Sequence, residues 1–182
     1  MSTAQQASVT GTWNVNPIHS LVLWSVRHAG VSWFRGYFDA PEGKFDASGP
    51  EPVLEGRVSV ENISIRSPDM FRGHIMGEEF FDAANFPEIT FRSTRFQIGE
   101  GNQVTVDGDL TIRGTTKSVT GTGTIAGPAE TPMGTKLALE LQTTINRFDF
   151  GVSWEAPPLP TGGKALGEEV RLQLSLQLDP AE

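Results

Sequence analysis

The chain has no cysteine and one tyrosine in 182 residues. Without thiols, disulfides, thiolate nucleophiles and cysteine-ligated zinc are excluded, and the composition carries no mark of the redox compartment. Basic residues are scarce: Lys and Arg total 14 against 22 Asp and Glu, a formal charge of −8. That balance repels phosphate backbones and anionic lipid surfaces, so nucleic acid is not an expected partner. No run approaches the roughly 20 apolar residues of a membrane helix, so stable membrane insertion is not expected either. The opening MSTAQQASVTGTW lacks the basic start and apolar core of a secretory signal, which makes the cytoplasm the expected location. Histidine is rare too. His19, His28 and His74 lie in separate segments without HxH or HExxH spacing, so neither a metal site nor a cofactor is expected.

What the chain does have is alternation. Val104, Val106, Gly108, Leu110 and Ile112 share one parity, with Thr105, Asp107, Asp109, Thr111 and Arg113 on the other, the pattern of a strand with one wet face. The same device recurs in 21–28, 34–38, 54–60, 119–125, 137–145 and 170–178. A chain of this size is one domain and needs no staple to bury a core. Residues 1–10 read as a frayed polar tail and 11–180 as the domain. PEGKFDASGPEP, AGPAETPMG and EAPPLPTGGK read as loops. Only residues 67–84 depart from the strand pattern; there Ser67 and Pro68 suit a helix start, and Met70, Phe71, His74 and Ile75 share a stripe. Eight or nine strands with short Gly/Pro turns make an all-β antiparallel meander, either sandwich or barrel, and closure is favoured because it removes exposed edges.

An eight-stranded barrel either fills with side chains or holds one slender ligand. The inward rows here set small residues among large ones: Gly36 between Phe34 and Phe38, Gly108 between Val106 and Leu110, Gly121 and Gly123 between Val119 and Ile125. Such glycines either leave room for a ligand or relieve twist and bulges.

The ordered motifs NPIHSLVLWSVRH, SIRSPDMFRGHIMGEEFFDAANFPEITFRS, DGDLTIRGTTKSV, NRFDFGVSW and GEEVRLQLSLQL resemble the YceI family of lipocalin-like proteins over nearly the whole chain. The resemblance implies an extended eight-stranded antiparallel lipocalin-like barrel with a short helical insert around residues 67–84. It also implies non-enzymatic binding, storage or transport of a long-chain isoprenoid amphiphile, an isoprenoid quinone or polyprenyl lipid, in the lumen. Many relatives are exported, and the family's location does not transfer to a chain without the leader. Trp24 and Trp33 are bulkier than is common in the family, and a filled upper cavity would shorten the ligand.

The residues expected to line the ligand site are Val22, Trp24, Val26, His28, Phe34, Phe38, Arg72, His74, Phe80, Phe81, Phe91, Leu110, Phe148, Phe150 and Trp154. Each charged or polar candidate has a structural alternative. His28 shares parity with Trp24 and so points inward, either to a structural partner or to a ligand head group. Arg72 and His74 on the insert could donate to a quinone or phosphate oxygen, or Arg72 could pair with an acid such as Asp69 or Asp82. Phe148 and Phe150 pack inward while Arg147 finds a carboxylate. Glu78, Glu79, Glu168 and Glu169 read as solvated acids, and His19 as a turn residue. Ser20, His28 and Asp39 do not amount to a triad, because no G-x-S-x-G elbow occurs. The competing readings are an enzyme using the same pocket through His28 or Arg72, and a solid-core interaction module, with a homodimer open in either case.

Overall fold

The computed structural model describes residues 9–160 and 162–181. The alternating segments form ten strands: β1 (Gly11–Val15), β2 (Leu21–His28), β3 (Ser32–Asp39), β4 (Glu42–Ala47), β5 (Val53–Ser59), β6 (Glu88–Ile98), β7 (Gln103–Ile112), β8 (Thr115–Thr131), β9 (Gly134–Asn146) and β10 (Leu166–Pro180). The helical insert contributes α1 (Asp69–Met76). Eight strands close an antiparallel ring in the order β1-β4-β5-β6-β7-β8-β9-β10, with β10 returning to β1.

The hairpin β2–β3 lies outside that ring and widens the barrel at one end. β10 is long enough to serve two partners on one edge: Leu178 pairs with Val15 of β1, and Ser175 to Leu166 pair with β2. The break between β1 and β2 falls at Asn16-Pro17, where proline cannot donate to a ladder. Ser20 substitutes for the missing backbone bonds. Its hydroxyl accepts from the Gln177 N–H at 3.0 Å and donates to the Gln177 carbonyl at 3.3 Å. On the hairpin's other edge Phe38 bridges Ile63, the Tyr37 N–H donates to Ser64 Oγ at 3.0 Å, and the Ser64 N–H returns to the Tyr37 carbonyl at 2.8 Å.

Several expectations need correction. The segment PEGKFDASGPEP contains a strand: β4 runs through it and buries Phe45 completely, at 0% exposure. Two inward residues, Phe45 and Ala47, are too short a row to stand out among Gly and Pro. AGPAETPMG is no free loop either, since β8 and β9 extend through it to a turn at Pro132-Met133. The proline is tolerated because the register shifts between Ala126 and Ala129, a bulge around Gly127-Pro128. The tail expected over 1–10 falls on residues outside the described ones up to 8; Val9 packs on the core, and the Thr10 carbonyl accepts the Trp13 indole N–H at 3.0 Å. Ser67 does not cap α1, whose preceding residue is Pro68 with no side-chain cap bond.

The interior divides in two. One end, under β1 and β4, is a close-packed core of residues such as Trp13, Phe45, Phe96, Val104, Leu139 and Leu178. The other, under the β2–β3 hairpin and α1, gathers Phe38, Ile63, Ile75, Phe80, Leu110 and Phe150 around open space. Phe91 packs against both clusters and marks the boundary. The open space is not confined to that end, since Val15, Leu54, Val106, Leu141 and Leu176 of the packed cluster also line it. Two glycines of the inward rows do not leave room: a Cβ at Gly36 would collide with the Trp24 indole, and one at Gly108 with the Phe91 ring. Gly123 instead admits a close backbone approach from Glu140, while a Cβ at Gly121 would meet only the Gln142 carbonyl, at 3.5 Å.

Candidate ligand-binding cavity

The barrel interior holds a cavity of about 300 Å³. Its walls come from the inward rows of β2, β3, β7, β9 and β10. Period-two alternation puts Val22, Trp24 and Val26, then Phe34 and Phe38, then Val170, Leu172 and Leu174 on one continuous apolar surface. The mouth lies between the hairpin tip and α1, where His28 and Phe71 line the cavity and are also exposed. Phe34 reaches across to Phe71, with ring centroids 6.1 Å apart.

One side of the mouth is an aromatic cluster. Phe80 and Trp154 stack at 5.4 Å, and the His74 ring meets both edge-on, at 4.9 and 5.3 Å. The Trp154 N–H donates to the Glu79 carbonyl at 3.2 Å, so the segment after β9 is tied to the insert by backbone and rings together. His74 Nδ1 stands 3.8 Å from the Glu79 carboxylate.

Two polar groups stand out in this apolar setting. The indole Nε1 of Trp24 is buried and, among the described residues, has no hydrogen-bond partner. A buried orphan donor costs about 1–3 kcal/mol, so it is the group most in want of an acceptor. Arg147 is only 4% exposed and lines the cavity. Its guanidinium donates to the carbonyls of Gly167, Val152 and Trp154, each at 2.8 Å, and to Leu166 at 3.4 Å. Among the described residues no carboxylate pairs with it, contrary to expectation. Burial pushes the guanidinium below its ordinary value, with Glu155 and Glu168 opposing the shift from a distance. Its work is to hold the segment after β9 against the start of β10, because the planar fork can serve several carbonyls at once.

A YceI-like domain model matches residues 13–178. The chain belongs to the YceI family. It is 34% identical over 147 residues to a UPF0312 protein of Pseudomonas fluorescens, covering 79% of this chain and 76% of that protein. Among solved structures it superposes on BcnA of Burkholderia cenocepacia with a TM-score of 0.72 at 23% identity, over 90% of this chain and 98% of the other. It also superposes on a polyisoprenoid binding domain from Saccharophagus degradans with a TM-score of 0.68 at 12% identity, over 93% and 98% of the two chains. These superpositions establish a shared fold.

Within this YceI barrel, the nominated residues reach the cavity wall with two exceptions. Arg72 turns away: it donates to the Ile65 carbonyl at 2.8 Å and to the Glu61 carbonyl and carboxylate at 2.9 and 2.7 Å, which clamps α1 to the end of β5. Phe148 sits outside, with the Arg147 guanidinium 4.3 Å and Lys164 Nζ 4.7 Å from its ring centre. The difference from Phe150 follows from a 3-10 turn over Arg147–Phe150, which breaks the strand's alternation so that Phe150 enters the core alone. His28 does share the inward parity, but it stands at the rim and is solvent-exposed.

Wall residues not nominated include Ile63, Ile65, Ile75, Ile112, Ile145 and Leu172. Their inward parity is visible in the sequence for Ile112, Ile145 and Leu172; Ile63 and Ile65 lie beyond the end of β5, where no periodicity marks them. Asp39 pairs with Arg66 at 3.2 Å and Ser20 is occupied by Gln177, so neither joins His28. His19 is a turn residue, its N–H donating to Asn16 Oδ1 at 3.1 Å. Among the described residues no three His, Asp or Glu side chains gather as metal ligands, and no helix is long and apolar enough to cross a membrane.

Proposed function

We propose that this protein binds, stores or carries a long-chain isoprenoid amphiphile, an isoprenoid quinone or polyprenyl lipid, without chemical turnover. The observation that carries this reading is the cavity itself: about 300 Å³ walled by valine, leucine, isoleucine and aromatic side chains and opening between a hairpin and a short helix. Each CH₂ buried there contributes about 0.8 kcal/mol, so a hydrocarbon tail alone supplies affinity. The polyisoprenoid binding domain from Saccharophagus degradans, with the same fold, supports the choice of ligand class.

The test is organic extraction of the purified protein followed by mass spectrometry, with reloading of the stripped protein by isoprenoid quinones of graded length. A stoichiometric isoprenoid lipid is expected. An extract empty of lipid, together with no uptake on reloading, would sink the proposal, and a modified product after incubation would move the protein to an enzyme of the same pocket.

A further inference from the structure

On the outer face of the widened end, three arginines converge on one tryptophan. The guanidinium carbons of Arg27 and Arg171 lie 4.4 and 4.2 Å from the Trp33 ring centre, and that of Arg35 lies 6.0 Å away. The strand register makes the cluster: Arg27 opposes Trp33 across β2–β3, while Ser25 stands between Arg35 and Arg171. All three arginines are exposed, and among the described residues none has a carboxylate partner. Arg57, Arg66, Arg72 and Arg92 by contrast are all paired. The chain carries a formal charge of −8, yet these three cations share one site without an acid among the described residues to neutralise them.

That site adjoins the cavity mouth. Arg27 precedes the rim residue His28, and Trp33 precedes Phe34, which lines the cavity and touches Phe71. The rim is itself apolar and exposed: Val31 at the hairpin tip is 81% exposed, Met70 on α1 84%, and Phe71 38%. The nearby acids Asp69, Glu78 and Glu79 belong to the insert, and Glu169 to β10; none pairs with the three arginines.

We propose that this face docks on an anionic phospholipid bilayer, with Arg27, Arg35 and Arg171 against head groups, Trp33 at the interface and Val31, Met70 and Phe71 dipping below it. Arginine and tryptophan beside exposed apolar residues are the composition of an interfacial site. Screening confines the repulsion of the distant acids, so within about 10 Å the local charge dominates. The inference rests on the reading of the cavity as a lipid site: a mouth held at the bilayer lets an insoluble ligand pass without crossing water.

The experiment is co-sedimentation of the full chain with vesicles of phosphatidylcholine alone or with about a third phosphatidylglycerol. Binding is expected only to the anionic vesicles and is lost toward 1 M salt, where the screening length falls to about 3 Å. The triple variant Arg27→Gln, Arg35→Gln, Arg171→Gln is expected to partition roughly 100-fold more weakly, about fivefold per arginine, while its extractable cavity lipid stays the same. Arg35→Gln alone, with a correspondingly smaller loss, guards against a triple variant that misfolds. Equal binding to both vesicle types, or no loss in either variant, overturns the proposal. So does binding of the patch to polyglutamate but not to vesicles, which would assign it to an acidic protein. An empty cavity with intact, arginine-dependent vesicle binding supports the docking face while removing the ligand reading, and a filled cavity without vesicle binding does the reverse.

Discussion

Trp24 and Gly36 are opposite one another across β2–β3, and the indole lies flat in the space that a side chain at Gly36 would need. Phe34 steadies the ring from its edge at 5.0 Å. The glycine thus seats a tryptophan that sets the bore of the cavity.

Gly36→Ala is expected to push the indole from its seat and lower stability by about 1–3 kcal/mol, as overpacking does. Urea denaturation measures the loss, and ligand uptake should fall with it because the displaced ring enters the cavity.

Trp24→Phe keeps the ring and removes the orphan N–H. The protein should be as stable as before or slightly more so, because the buried donor left without an acceptor is gone. Urea denaturation of the two proteins checks this, and a clear loss of stability would show that the indole's packing outweighs its unmet hydrogen bond.

Phe91→Ala takes away the ring that covers Gly108, lines the cavity and packs against both clusters. A cost of about 3 kcal/mol is expected from the space created. Binding of a homologous series of isoprenoids should shift toward longer tails.

Arg147→Met leaves the carbonyls of Gly167, Val152 and Trp154 without their donor. Stability should fall by about 2–4 kcal/mol, and proteolysis should begin between residues 152 and 165. Arg147→Lys should not rescue it, since one ammonium cannot serve the carbonyls that the planar fork reaches together.

Asp179 adds a pH-dependent tie at the barrel seam. Its carboxylate binds Lys136 Nζ at 2.7 Å and the Asn16 amide at 2.8 Å, and these, Lys136 foremost, hold it below its ordinary value. A lowered folded value stabilises the protein fully above the unfolded carboxyl value of about 3.9 and loses that contribution as pH falls through the lower folded one. Asp179→Asn should cost about 0.5–1 kcal/mol at neutral pH, the scale of a partly exposed pair. The difference from wild type should shrink below about pH 4, which thermal melts across pH 2–7 would show.

The cavity wall is readable wherever a strand carries its own period. Val22 to Val26, Phe34 to Phe38 and Val170 to Leu174 declare their inward face by alternation. Phe45 is hidden because its strand offers only two inward residues between prolines and glycines, and Phe148 is misleading because a 3-10 turn ends the alternation at Asn146. Arg147 resembles half of an ion pair, but its partners include carbonyls some twenty residues away, which no local pattern marks.

The order of apolar and polar residues along the chain marked antiparallel strands and their inward faces, because a period of two is a local consequence of strand geometry, but it left sandwich and barrel both open; the family, and with it the barrel, was legible only in the order of the motifs. How far the lumen is open was settled only by tertiary packing. A glycine opposite an aromatic residue reads in sequence as a gap, and whether Trp24 and Phe91 fold over Gly36 and Gly108 depends on register and rotamer across strands, where neighbours in space are distant in the chain.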